Sequence, residues 1–268
     1  MESLGFGARE IRRRLRVGDL ITVRRGWYAA PRHDPDVVAA VRAGGVLSCV
    51  SALARYGFWV PPGYTGDHAR IGRGVASKSR ACRGFSETAA GTLGVDPMTV
   101  ALECAARCMR PEDWIATCDS VQNSLGRSAA EIRGAMGHLP EHVLALFDKT
   151  DARAQSGTES LCRVRLRALR YKVVVQPQIP EVGRADLRIG RLIIECDGRR
   201  YHSDEAAYRN DRIRDRRATV GKWLTFRVTL DDVIYPCGWN EVVEDIRAIT
   251  AADRHRFRAE EPSRRPPR

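Results

Sequence analysis

The feature that most constrains this chain is a short hairpin with an acid on each arm. Residues 185–189 read ADLRI, residues 192–195 read LIIE, and Gly190-Arg191 lies between them. Two apolar runs joined by two residues, one a glycine, predict neighbouring antiparallel strands. Asp186 sits on the first run. Glu195 ends the second and leads into Cys196-Asp197-Gly198. Residues opposite one another across such a pair share a face, so both carboxylates can point to one edge of a sheet.

The flanking sequence predicts what encloses this hairpin. Residues 159–169 have helical apolar spacing at Leu161, Val164, Leu166 and Leu169, with Thr158 or Ser156 available as a cap. Residues 171–176 read as a strand and 178–181 as loop or strand, with a turn at Gly183-Arg184. Residues 206–220 read as a long charged helix, 223–229 as a strand and 241–250 as a closing helix. The order helix, strands, helix, strand, helix predicts a mixed sheet flanked by helices, an α/β (α+β) class.

The chemistry follows from the donor types. Two carboxylates and the Cys196 carbonyl are hard oxygen ligands suited to Mg²⁺ or Mn²⁺. A metal of that kind polarises a phosphate and activates water. His202, shortly after the hairpin, is placed to act as general base. The plainer alternative has Asp186 capping a turn, Glu195 and Asp197 pairing with the abundant arginines, and His202 on the surface. The combination of Glu159, Asp186, Glu195, Asp197, Gly198 and His202 favours a site.

The pattern Asp186-x₈-Glu195-x-Asp197-Gly198-x₃-His202, followed by Asp211-Arg212-x₂-Asp215, resembles a domain of unknown function related to very-short-patch-repair endonucleases. That group belongs to the PD-(D/E)XK nuclease superfamily, and the resemblance covers roughly residues 156–250. It implies a restriction-endonuclease-like fold. It also implies Asp186 as the metal-binding aspartate, Glu195 as the second acid, Glu159 as the acid of the first helix and His202 as the base. Asp197 stands where the superfamily has lysine, so the motif here reads E-x-D.

The N-terminal segment suggests how such a domain would reach DNA. Residues 8–15 predict a short helix, 20–23 and 27–29 two strands, and Arg24-Arg25-Gly26 the turn between them. This is the second half of a winged helix. The stretches GAREIRRRLRVGDLITVRRGWYAAP and VLSCVSALARYGFWVPP resemble the winged-helix-like region of AbiEi-type antitoxins and the segment after it. Arg12 and Arg13 on the helix, with Arg24 and Arg25 at the turn, are candidate phosphate contacts. The alternative is a solvated basic face. The first is favoured because the arginines sit on both the helix and the hairpin turn. The chain as a whole, with 45 Lys+Arg against 33 Asp+Glu, a net +12, and 41 arginines whose fork suits phosphate and base edges, is biased toward polyanion partners.

The remaining sequence sets the boundaries. We read residues 1–62 as the winged-helix-like region, 63–150 as connecting, 151–252 as endonuclease-like and 253–268 as a disordered basic tail. Within the connecting region, residues 99–109 and 114–125 have helical apolar spacing. The eight cysteines, at 49, 82, 104, 108, 118, 162, 196 and 237, fall without an export signal or a membrane-length apolar run. The expectation is reduced thiols and a cytoplasmic protein. Cys104 and Cys108 share a helix face and Cys118 follows, but no CxxC pair or nearby His completes a zinc set, so buried helix thiols are expected. The whole predicts a Mg²⁺- or Mn²⁺-dependent endonuclease, a phosphodiester hydrolase acting on duplex DNA. The alternative is an AbiEi-like antitoxin, transcriptional regulator or phage-defence protein with an inactive nuclease fold and a toxin or other protein as partner.

Overall fold

The structure is a computed structural model that describes residues 5–66, 68–71, 81–85, 93–197, 205–252 and 256, with the side chains of 205–211 left aside. The chain divides into two compact units, residues 1–152 and 153–268.

The first unit begins with α1 (Ala8–Arg16) and the antiparallel pair β1 (Ile21–Arg24) and β2 (Trp27–Ala29). α2 (Pro35–Arg42) starts at an Asp34 cap, whose carboxylate accepts the Asp36 and Val37 amides and also pairs with Arg55. β3 (Gly45–Leu47) leads directly into α3 (Cys49–Arg55), and β4 (Ala69–Ile71) pairs with β3 antiparallel. Leu47 takes a further bridge to Val95, and Arg70 one to Cys82. Buried Asp96 receives two guanidinium bonds of 2.6 Å from Arg70, so its charge is compensated where water is excluded. α4 (Met98–Cys108), α5 (Pro111–Leu125), α6 (Ala129–Gly134) and α7 (Glu141–Phe147) complete the unit. Fully buried Trp114 anchors them. Its indole donates to the Leu102 carbonyl at 3.0 Å and meets Phe147 edge-on at 5.0 Å.

The second unit is the mixed α/β assembly expected from the sequence. α8 (Gly157–Ala168) is followed by β5 (Val174–Val175), β6 (Gln178–Ile179), β7 (Gly183–Arg184), β8 (Leu187–Ile189) and β9 (Leu192–Asp197). Then come α9 (Glu205–Val220), β10 (Leu224–Thr229), α10 (Leu230–Ile234) and α11 (Pro236–Ala251). The four-stranded sheet has the order β10-β9-β8-β5. β9 pairs β10 in parallel through the α9 crossover and pairs β8 antiparallel. Gly190 takes φ 57°, the positive value that a two-residue hairpin loop requires, between Ile189 and its partner Leu192.

Two expectations need correction here. Gly183-Arg184 is not the turn but strand β7, paired with β6. The reversal falls one step earlier. Val182 donates to the Ile179 carbonyl, and Glu181 behind Pro180 takes φ 64°, so a proline-led turn displaces the glycine-led one. The strand expected over 171–176 shrinks to β5: the Tyr171 amide donates to the Leu166 carbonyl at the end of α8 and the Val173 amide to the Tyr171 carbonyl, and Gln176 turns out of the strand at φ 50°. Among the described residues, no helix is long and apolar enough to cross a membrane.

Candidate functional site

The β8–β9 hairpin sets the site. Its register pairs Leu187 with Ile194, and one further step brings Asp186, the residue before β8, opposite Glu195. Alternation along β9 then places Ile193, Glu195 and Asp197 on one face, and all three line a polar cavity of about 200 Å³. α9 contributes Arg214 and Asp215 to that cavity, and β10 contributes Arg227. The opposite face carries Cys196, whose buried free thiol hydrogen-bonds to the free Cys162 of α8. That contact and burial push the thiol well above its ordinary value, so only the Cys196 carbonyl remains suited to a hard cation.

Asp186 is held from both sides. The Cys196 amide donates to its Oδ2 at 2.8 Å, and the Gln176 amide reaches its Oδ1 at 3.3 Å. The same Gln176 nitrogen donates to Glu159 Oε1 at 3.0 Å, linking the two acids. Glu159 stands in the first turn of α8, where Ser156, and not Thr158, supplies the cap. The other Glu159 oxygen accepts the Gln155 amide at 2.8 Å, so this carboxylate also closes the start of its helix. Only 1% of Glu159 is exposed, and burial pushes its carboxyl up to about 7. The bonds from Gln155 and Gln176 work against that rise, and the charge of Asp186 adds to it.

Glu195 also lies above the ordinary carboxylate range, through burial first and the charge of Asp186 second. Arg214 opposes this with a 2.8 Å bond to Oε1. The same guanidinium donates to the Arg184 carbonyl at 2.7 Å, so it is fixed to β7 as well as to β9. Arg227, beside Glu195 in the β9–β10 register, reaches Asp215 at 3.5 Å. Asp197 is exposed at the end of β9.

Glu159, Asp186, Glu195, Cys196 and Asp197, all singled out from sequence, thus fall in one neighbourhood. Gly198, His202 and the Asp211 side chain lie outside the described residues. Sequence reasoning misses Gln176 and Arg214. Gln176 gives no signal, since its role depends on a φ of 50° that a glutamine seldom adopts. Arg214 lies within the arginine-rich run of α9, where nothing in the sequence separates it from its neighbours.

In the first unit, Arg12, Arg13, Arg24 and Arg25 are all exposed. Arg13 and Arg14 both bond Glu10, which their guanidinium groups hold down to about 2. Arg12 folds back to the Ala8 carbonyl at 3.2 Å. No profile of a known protein family, no curated protein and no solved structure matches this chain.

Proposed function

We propose that the second unit is a restriction-endonuclease-like domain that hydrolyses phosphodiester bonds in DNA with a divalent cation. The observation that carries this reading is the opposition of Asp186 and Glu195 across adjacent antiparallel strands, one face of which opens on a polar cavity. Two further observations fit a cation there. Glu159 and Glu195 are both raised partly by the charge of Asp186, a crowding of acids that bound positive charge would relieve. Gln176 Oε1 is a buried hard donor with no hydrogen-bond partner among the described residues, beside the same acids.

Asp186, Glu195 and the Cys196 carbonyl would hold Mg²⁺ or Mn²⁺, which when bound supplies Lewis acidity toward a phosphate and its attacking water. The chain's own groups do the rest. The Cys196 amide and Gln176 hold Asp186 in one orientation. Without the cation, burial raises Glu159 to about 7, which keeps one negative charge out of the cluster until positive charge arrives. Arg214 supplies a cation beside Glu195, in a motif with Asp197 in place of lysine. It cannot serve as base, since a guanidinium does not give up its proton in proteins. The exposed arginines of α1 and the β1–β2 turn would contact duplex DNA through its phosphates.

Nicking of supercoiled plasmid tests this. Wild type should nick with Mg²⁺ or Mn²⁺ and stop with EDTA, whereas Asp186→Asn should not nick under either metal. A folded wild type that cuts no nucleic acid with either ion contradicts it. The pairing of Glu195 with Arg214 favours the second reading, a DNA-binding antitoxin or regulator whose nuclease fold does not cut.

A further inference from the structure

A second ligand set lies in the first unit, and it uses none of the residues of the hairpin site. Cys49, His68, Cys82 and Cys108 each offer one ligand atom, and all four atoms lie within 4.8 Å of one another. Cys82 Sγ is 3.4 Å from His68 Nδ1 and 3.6 Å from Cys108 Sγ. We propose that these three thiolates and one imidazole form a tetrahedral Zn²⁺ site that cross-links the first unit.

The geometry carries the assignment. With Zn–S of about 2.3 Å and Zn–N of about 2.0–2.1 Å, tetrahedral angles put sulfur–sulfur pairs about 3.8 Å apart and sulfur–nitrogen pairs about 3.6 Å apart. The observed separations, 3.6 and 3.4 Å, fall close to those values. A disulfide between Cys82 and Cys108 would need about 2.05 Å and would leave Cys49 and His68 with no reason to converge on it. Three soft sulfurs and one imidazole select zinc over Mg²⁺, Mn²⁺ or Ca²⁺.

The backbone is arranged around the same point. Cys49, fully buried at the start of α3, takes φ 53°, an unfavourable conformation for a residue with a Cβ. His68 is clamped to the same helix start: its carbonyl accepts the Ser48 amide at 2.8 Å, and its amide donates to Ser51 Oγ at 3.2 Å. Cys82 is held by its amide bond to the Ala69 carbonyl at 2.9 Å. Cys108 is the last residue of α4 and is exposed, which gives an ion a way in. The site thus ties α3, the residue before β4, the Cys82 bridge and the end of α4. Four ligands and no open position make it structural, not catalytic. Of the cysteines weighed from sequence, Cys104 and Cys118 are buried thiols as expected, but Cys108 belongs to this set.

The proposal stands apart from the nuclease reading and is tested without any DNA. Full-length chain, purified without chelator from zinc-containing medium, should hold one zinc per chain by elemental analysis. Exchange with Co²⁺ should give thiolate charge-transfer bands and the intense d–d bands of tetrahedral cobalt. A mercurial should release the zinc as it titrates the thiols. Cys108→Ser should weaken zinc retention by more than the roughly 10–100-fold that loss of a supporting partner costs. Cys237→Ser, an exposed thiol of the other unit, should keep it. Should Cys108→Ser fail to fold, the cobalt spectrum and mercurial release of wild type decide. Wild type without stoichiometric zinc and without cobalt bands, a Cys82–Cys108 disulfide in freshly purified protein, or full zinc in folded Cys108→Ser would each overturn the proposal.

Discussion

The two units gather their polar groups by opposite routes. In the second unit Asp186, Glu195 and Cys196 stand within eleven residues on one hairpin, with Glu159 added from α8. In the first unit the ligands are scattered, at 49, 68, 82 and 108, and only the tertiary fold brings them together. The donor chemistry differs in parallel: hard oxygens on the hairpin, soft sulfurs and an imidazole around α3 and α4. A hairpin fixes its partners by register alone, so its site can be read from spacing. Ligands drawn from separate elements depend on packing, which no spacing rule expresses.

The comparison can be broken most severely at Asp186. Asp186→Asn can keep one oxygen as acceptor for the Cys196 amide but gives up the second acceptor, which Gln176 uses, and the charge, so cleavage should be lost while circular dichroism remains that of wild type. Zinc content, a property of the first unit, should not change. If cleavage survives, the hairpin acids are not the metal ligands.

Glu159 gives the next largest effect. Its carboxyl titrates near 7 in the folded chain, against an ordinary 4.5. The protonated form therefore favours folding. That contribution is complete below about pH 4.5 and is lost as pH rises through about 7. Glu159→Gln is neutral throughout, so its denaturation midpoint should vary less than that of wild type between those pH values. Between about pH 5 and pH 8 wild type should lose about 1–3 kcal/mol more stability than Glu159→Gln does. Urea denaturation at about pH 5 and about pH 8, on either side of that titration, checks the sign. Equal pH dependence in both proteins would show that Glu159 titrates normally.

The arginine pairs come third. Reversing Arg12 and Arg13 together, or Arg24 and Arg25 together, should weaken duplex binding and reduce the slope of log affinity against log salt by about 0.9 for each phosphate no longer neutralised. Fluorescence anisotropy over a salt series measures it. An unchanged slope would assign these residues to a solvated face.

Arg214 should give the smallest change. Arg214→Gln removes a partly exposed partner of Glu195 worth about 1 kcal/mol, so Mn²⁺ affinity should rise roughly fivefold while cleavage falls. A weaker Mn²⁺ affinity would mean that the guanidinium chiefly holds β7 and β9 in place.

These residues also show what the sequence could and could not reveal. α1, β1, β2, β9 and β10 follow from strong periodicity and lie within one or two residues of expectation, as do α4, α8 and α9. The β6–β7 hairpin escapes the pattern because Pro180-Glu181 competes with Gly183 for the turn, and only tertiary pairing decides between them. Gln176 and Cys49 are invisible for a shared reason. Both adopt positive φ at a cluster of polar groups, a conformation that local propensity argues against and that the surrounding structure must impose. His68 and Cys82 carry no motif spacing to Cys49 or Cys108, so the thiol set is out of reach of any pattern.

The most direct test of the hairpin metal site is Mn²⁺ titration calorimetry on three full-length proteins: wild type, Asp186→Asn and Cys108→Ser. The hard-oxygen hairpin should bind one Mn²⁺ in wild type and in Cys108→Ser and none in Asp186→Asn. Mn²⁺ binding that persists in Asp186→Asn, or no binding in folded wild type, would contradict a metal site on the β8–β9 hairpin.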